Sequence, residues 1–309
     1  SGGGSGQDGG TDAGLLGDTW RPSSPLTPND FYFSEVISTP TGLLAVGGRL
    51  LQNNALLARS VDGESWTVQA LPTDTAAWES VAFDGQRFVA VGLLDGARAR
   101  SEAWFSTDGM NWQQGDAGMG QSLRSVQWDG TRFWTVGQGG VIAESTDGID
   151  WVRRDAGTTA TLFDIAFHGG RSVAVGSAGT VLTSTDDGLS WQPTDAGTNR
   201  FLASVALDGN RFIAVGESGT VLTSDDGLSW TARPSGTSLT LRSVLAFDGG
   251  IVAVGDRGVS TPSPVIVSRN AGATWTLRPT GVNQNWSGVT ELPGKLIVVG
   301  SEASVILSP

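Results

Sequence analysis

Seven times along this chain a valine or isoleucine is followed eleven residues later by a glycine: Val36 and Gly47, Val81 and Gly92, Val126 and Gly137, Ile165 and Gly176, Val205 and Gly216, Val244 and Gly255, Val289 and Gly300. Each pair sits in similar text. From Leu202 to Gly236 an apolar alternating run (SVAL) meets Asp208-Gly209. A second run (RFIAVG), a short Gly-bounded loop, a third run (TVLTS) and SDDGLSW then lead into a fourth. Alternation with period two makes strands, Asp-Gly makes a hairpin, and the Ser/Asp/Gly cluster makes the turn into the last strand. The product is one four-stranded antiparallel sheet. A lone sheet cannot cover both of its faces, but stacked copies can. A period of 39 to 45 residues with four strands per copy predicts an all-β, seven-bladed β-propeller.

Length alone, at 309 residues, would suggest two domains. The repeats instead predict one propeller over residues 15–309. Residues 1–14 (SGGGSGQDGGTDAG) are nearly devoid of apolar side chains and read as a flexible Gly/Ser/Asp tether. No apolar run approaches the roughly 18 residues of a transmembrane segment. The tether resembles that of a bacterial lipoprotein, which would place a lipid anchor just before Ser1 and the protein outside the cytoplasm, in the periplasm or at the cell surface. An ordinary linker fits the composition equally.

Three further features narrow the chemistry. A net charge of −12 repels phosphates and anionic membrane surfaces, so nucleic acid is not an expected partner. Cysteine is absent, which excludes disulfides, thiolate metal sites and thiol catalysis. Eighteen of the nineteen basic residues are arginine and only Lys295 is lysine, a bias attributable at this level to the genome.

The last repeat, from Trp286, has three strands and then stops. Its missing fourth matches the segment around Trp20: from the turn Trp to the next first-strand Val or Ile is 14 or 15 residues elsewhere, and from Trp20 to Val36 it is 16. The N-terminal strand is therefore expected to complete the seventh blade and close the ring.

The turns SVDGESW (60–66), STDGMNW (106–112), STDGIDW (145–151), STDDGLSW (184–191), SDDGLSW (224–230) and SRNAGATW (268–275) resemble the Asp-box, or BNR repeat. Their Ser and Asp side chains can cap turn amides, Gly can take positive φ, and Trp can pack beneath. One turn type on every blade accounts for these carboxylates as structure, without a metal or catalytic role. The stretch DIAFHGGRSVAVGSAGTVLTSTDDGLSW (164–191) further resembles the photosystem II stability/assembly factor family. That resemblance implies a seven-bladed propeller that binds proteins or membrane-protein complexes without catalysis. Likeness to Asp-box propellers that act on ligands implies a site on the top face, opposite the boxes.

Sialidases also carry Asp-boxes, so a carbohydrate-active or glycan-binding propeller is the alternative. Its candidates are Tyr32, the only tyrosine, with Glu35 close by, and Glu35 with Asp164 as a carboxylate pair near the channel top. His168, the only histidine, belongs to a bottom hairpin and cannot join a top-face triad or zinc site. No cofactor or metal is expected. The repeats differ most between strand-two Gly and turn Trp: 14 or 15 residues in blades three to five, 19 or 20 in blades one, two and six. The insertions build up one side of the top face. Insertions often mark the binding side, which nominates Arg49, Arg98, Arg100 and Arg257 in those loops, with Trp78 and Trp286 opening strands beside them.

Overall fold

The computed structural model describes residues 15–23, 26, 30–49, 55–71, 77–93, 102–259 and 261–308. Its strands form seven four-stranded antiparallel sheets, and in six of them the four strands follow one another in sequence. Blade 1 is representative, with strands Phe31–Thr39, Gly42–Arg49, Ala55–Ser60 and Thr67–Ala70. Blade 7 is the exception. Its strands Trp286–Leu292, Lys295–Gly300 and Val305–Ser308 are completed by Arg21–Pro22, which pairs Arg21 with Leu307 and Pro22 with Ile306. The expected closure of the ring is thus observed.

The core is divided seven ways. Each of seven apolar clusters lies between two neighbouring blades, as where Val46 and Leu57 of blade 1 meet Trp78, Phe88 and Trp104 of blade 2. No blade owns a core alone, which is why one repeat could not fold by itself. Helical content among the described residues is limited to three 3-10 turns, Gln138–Gly140, Ser177–Gly179 and Glu217–Gly219, in the short strand-two to strand-three connections.

The seven repeat glycines have a steric cause. A Cβ on Gly47, Gly92, Gly137, Gly176, Gly216, Gly255 or Gly300 would stand 1.9 to 2.3 Å from a backbone carbonyl oxygen at the start of the first strand or just before it, far inside contact distance. Beside each lies a β-bulge in the first strand, between Phe33 and Glu35 in blade 1 and between Leu162 and Asp164 in blade 4, for example. The bulge inserts one residue and re-aims the strand. Those inserted residues are Ser34, Glu79, Arg124, Phe163, Ala203, Arg242 and Ser287, one per blade.

The bottom-rim turns are built as their residue types require. In blade 1 the Ser60 Oγ accepts from Gly63 N at 2.8 Å, Asp62 accepts from the amides of Glu64 and Ser65, and Trp66 Nε1 donates to Gly63 O at 2.9 Å. These amide bonds hold the Asp62 carboxyl below its ordinary range. Blade 7 assembles the same turn from both chain ends: Gly17 N donates to Ser308 Oγ at 2.6 Å and Trp20 Nε1 to Gly17 O at 3.0 Å.

A ring of clips ties each turn to the blade before it. The side chains of Arg59, Arg87, Arg132, Arg211, Arg269 and Lys295 donate to the carbonyls of Asp108, Asp147, Asp187, Ala271, Leu16 and Asp62, in each case the residue preceding the turn glycine of the next blade. Between blades 4 and 5 the donor is Thr183 Oγ1, 2.7 Å from Gly227 O. Five arginines and the single lysine are therefore placed by structure, beyond any bias of composition.

Candidate functional site: the upper channel mouth

The first strand of each blade borders the central channel, and the bulge divides what it presents there. Above the bulges a cavity of about 320 Å³ opens at the upper mouth, lined by Tyr32, Glu79, Arg124, Phe163, Phe201 and Arg242 among others. Six blades or their lead-ins contribute these six side chains, one each. Phe163 and Phe201 meet edge to face with centroids 6.0 Å apart. The Arg242 guanidinium lies 5.5 Å from the Phe201 centroid and is held by Asp256 at 2.7 Å. Arg124 pairs with Glu79 at 3.4 Å. Burial pushes the Glu79 carboxyl up, opposed by Arg124, and burial beside Glu79 raises the Tyr32 phenol. Planar cations fixed over and beside aromatic faces, in a concave mouth, suit a polypeptide's carbonyls and apolar side chains.

Only Tyr32 of the sequence candidates lies in this group. Trp78 and Trp286, expected beside the binding loops, are fully buried in the blade 1–2 and blade 6–7 cores, where neither can meet a partner. They occupy the position that Leu123, Leu162, Leu202 and Leu241 fill elsewhere. Trp104 is buried in the blade 1–2 core beside Trp78. Arg49 ends a strand in blade 1 and lies 4.0 Å from Asp30. Arg257 is exposed in the blade 6 insertion, its amide donating to Asn285 Oδ1 at 2.9 Å. Arg98 and Arg100 lie outside the described residues.

Glu35 and Asp164 do not stand at the top. Because the bulge precedes them, they face the cavity below it, of about 480 Å³. Asp164 is saturated: Oδ1 accepts from Ser125 Oγ and Ile165 N, Oδ2 from Ser204 Oγ and Val205 N, all between 2.9 and 3.0 Å. Glu35 Oε2 accepts from Val81 N at 2.9 Å, and in the next blade Ser80 Oγ accepts from Val126 N at the same distance. These side chains satisfy first-strand amides that the bulges leave without ladder partners. Burial pushes the Glu35 carboxyl up to about 7, with Asp164 contributing, and raises Asp164 as well. Tyr32 and Glu35 therefore serve separate cavities and do not form a sialidase-like pair. Among the described residues no group of three or more His, Cys, Asp and Glu is placed to hold a metal ion.

The residues missed from sequence are Glu79, Arg124, Phe163, Phe201 and Arg242. A signal was present: counting two residues back from each first-strand Val or Ile gives the bulge position, where the charged Glu79, Arg124 and Arg242 and the aromatic Phe163 stand in place of the Ser or Ala of blades 1, 5 and 7.

No protein-family model matches the sequence, and no curated protein matches it. Solved structures do resemble it in fold. "YCF48 bound to D1 peptide" superposes with a TM-score of 0.73 at 18% identity, covering 94% of each chain. "YCF48 from Cyanidioschyzon merolae" gives 0.72 at 17%, covering 94% of this chain and 98% of that one. The WD40 propeller domain of Doa1 reaches 0.73 at 14%, covering 94% of this chain and 97% of that one. At these identities the likeness establishes the fold, a seven-bladed propeller of four-stranded antiparallel blades.

Proposed function

We propose that this propeller is a non-catalytic binding or assembly scaffold that holds a segment of a protein partner in the upper channel mouth. The carrying observation is the Phe163–Phe201 pair with Arg242 fixed over Phe201, at the rim of a cavity to which all seven blades contribute. Such a group is pre-organised for recognition, because its cations are already oriented by Glu79 and Asp256. The two channel carboxylates, by contrast, are engaged with backbone amides. Structural likeness to YCF48, solved with a D1 peptide, fits this reading. The blade 6 insertion around Arg257 extends the same face. An exported protein, on the Gly/Ser/Asp tether of residues 1–14, is the setting we propose for it.

A photo-crosslinking residue at Ala203, on the upper mouth, tests the reading in native cells. Cross-links to one defined protein are expected, and F201A with R242A should abolish them. Equal labelling from a crosslinker at Ser65 on the bottom rim, or labelling unchanged in the double variant, would overturn it.

A further inference from the structure

Below the bulges the channel presents a second site, independent of the upper mouth. Seven blades supply the equivalent position facing this level: Glu35, Ser80, Ser125, Asp164, Ser204, Ser243 and Gly288. Only blades 1 and 4 place carboxylates there, and the two sense each other's charge. No basic side chain among the described residues pairs with either. Two carboxylates at one buried level with no counter-charge are costly for the protein. Below them the wall is mixed: Gln127, Asp129 and Thr290 stand among Ile37, Leu245, Trp128 and Phe167, which are packed against the inter-blade cores and half-buried. With carboxylates at its inner end and aliphatic and aromatic side chains on part of its lower wall, the cavity of about 480 Å³ has the size of a small-molecule site.

We propose that the lower channel binds a small amphipathic amine, its ammonium seated between Glu35 and Asp164 and its apolar stem running past Ile37 and Leu245 to Trp128 and Phe167. The ammonium supplies the missing counter-charge, and the stem displaces water from the apolar part of the wall. The saturated Asp164 acts through its field, whereas Glu35, held by the Val81 amide and the Ser80 hydroxyl, keeps acceptor capacity to spare for the ligand. The same ammonium chemistry could arrive as a free amine or as a lysine side chain of another polypeptide, and the test separates the two.

Isothermal titration of the whole protein at pH 8 compares three probes of one shape: 4-phenylbutylamine, 4-phenylbutanol and 4-phenylbutyrate. The amine is expected to bind at least about tenfold more tightly than the alcohol, with the acid weakest, and E35Q should reduce amine affinity about tenfold while leaving the circular dichroism unchanged. A blocked peptide carrying one central lysine forms a further arm. If the peptide displaces the amine, the natural ligand chemistry is a side chain; if the amine alone binds, it is a free small molecule. Equal affinity for amine and alcohol in the wild type, a measurement that does not depend on any variant folding, would overturn the proposal, as would amine binding unchanged in E35Q.

Discussion

Lys295 Nζ lies 3.4 Å from the carbonyl oxygen of Asp62, spanning the junction between the seventh and first blades. The chain's one lysine thus occupies the place that arginines or Thr183 take at the other six junctions. Because its ammonium is partly exposed, K295M should cost only about 0.5–1.5 kcal/mol. T183V is expected to cost more, about 1–3 kcal/mol, since Thr183 is buried, its hydroxyl also meets Thr194 Oγ1, and its loss leaves Gly227 O with only the longer bond from Trp230 Nε1. Urea denaturation of the two variants gives the order; K295M more damaging than T183V would contradict the clip's energetics.

Closure of blade 7 rests on residues 15–22. Deleting 15–21 removes the Gly17–Ser308 bond, the packing of Leu16 and Trp20 on the blade 6–7 core, and half of the closing strand. A fall in Tm of well over 5 °C is expected, given several lost contacts and a shift of roughly 2–4 °C per kcal/mol in a domain of this order of size. S308A alone should lower it by a few degrees. An unchanged Tm in the deletion would refute closure by the N-terminal strand.

Glu35 makes stability depend on pH near neutrality. Its carboxyl titrates at about 7 when folded and near 4.5 when unfolded. Between those values the folded protein holds the extra proton, so stability falls as pH rises from about 4.5 to 7 and levels off above. The size is on the order of a few kcal/mol. Asp164, raised in the same direction, adds to the slope from lower pH. E35Q keeps an acceptor for Val81 N and should flatten the decline; denaturation midpoints at pH 5, 6, 7 and 8 read this directly, and parallel curves for both proteins would dismiss it.

Two glycines of blade 5 separate crowding from backbone conformation. A Cβ on Gly216 would stand 2.0 Å from Phe201 O, and backbone on both sides cannot yield. G216A should cost roughly 3 kcal/mol or more. Gly209 adopts φ of +59° with open space around its Cβ position, so G209A should cost only about 1–2 kcal/mol. Comparable losses would show that the repeat glycine answers to something other than the Phe201 carbonyl.

What the sequence made legible was whatever recurs. Spacing between Val36 and Gly47, repeated six more times, carried blade number and strand order, and the matching of Trp20 to the other turn tryptophans carried the closure. Side chains that differ from blade to blade were harder. Insertion length drew attention to Trp78 and Trp286, although both stand where blades three to six have leucine and are buried for the same reason. The upper-mouth residues Arg124, Phe163 and Arg242 depend on a one-residue bulge, which reverses the direction a side chain takes and is marked in the sequence only by its fixed distance from the first-strand Val or Ile. The clips, Arg59 to Asp108 for instance, join side chains to carbonyls 49 residues away, and a carbonyl has no letter in the sequence.

Ser308 and Gly17, finally, set the order of events in folding. Six turns close over three or four residues and can form as soon as their own strands emerge. The seventh spans 291 residues, and its loop-closure entropy grows with the logarithm of that length. Until the stacked blades have brought the two ends together, the bond gains nothing. The ring is expected to zip from within and lock last at its seam, so the seam, although chemically like the other turns, serves as the timer of the fold.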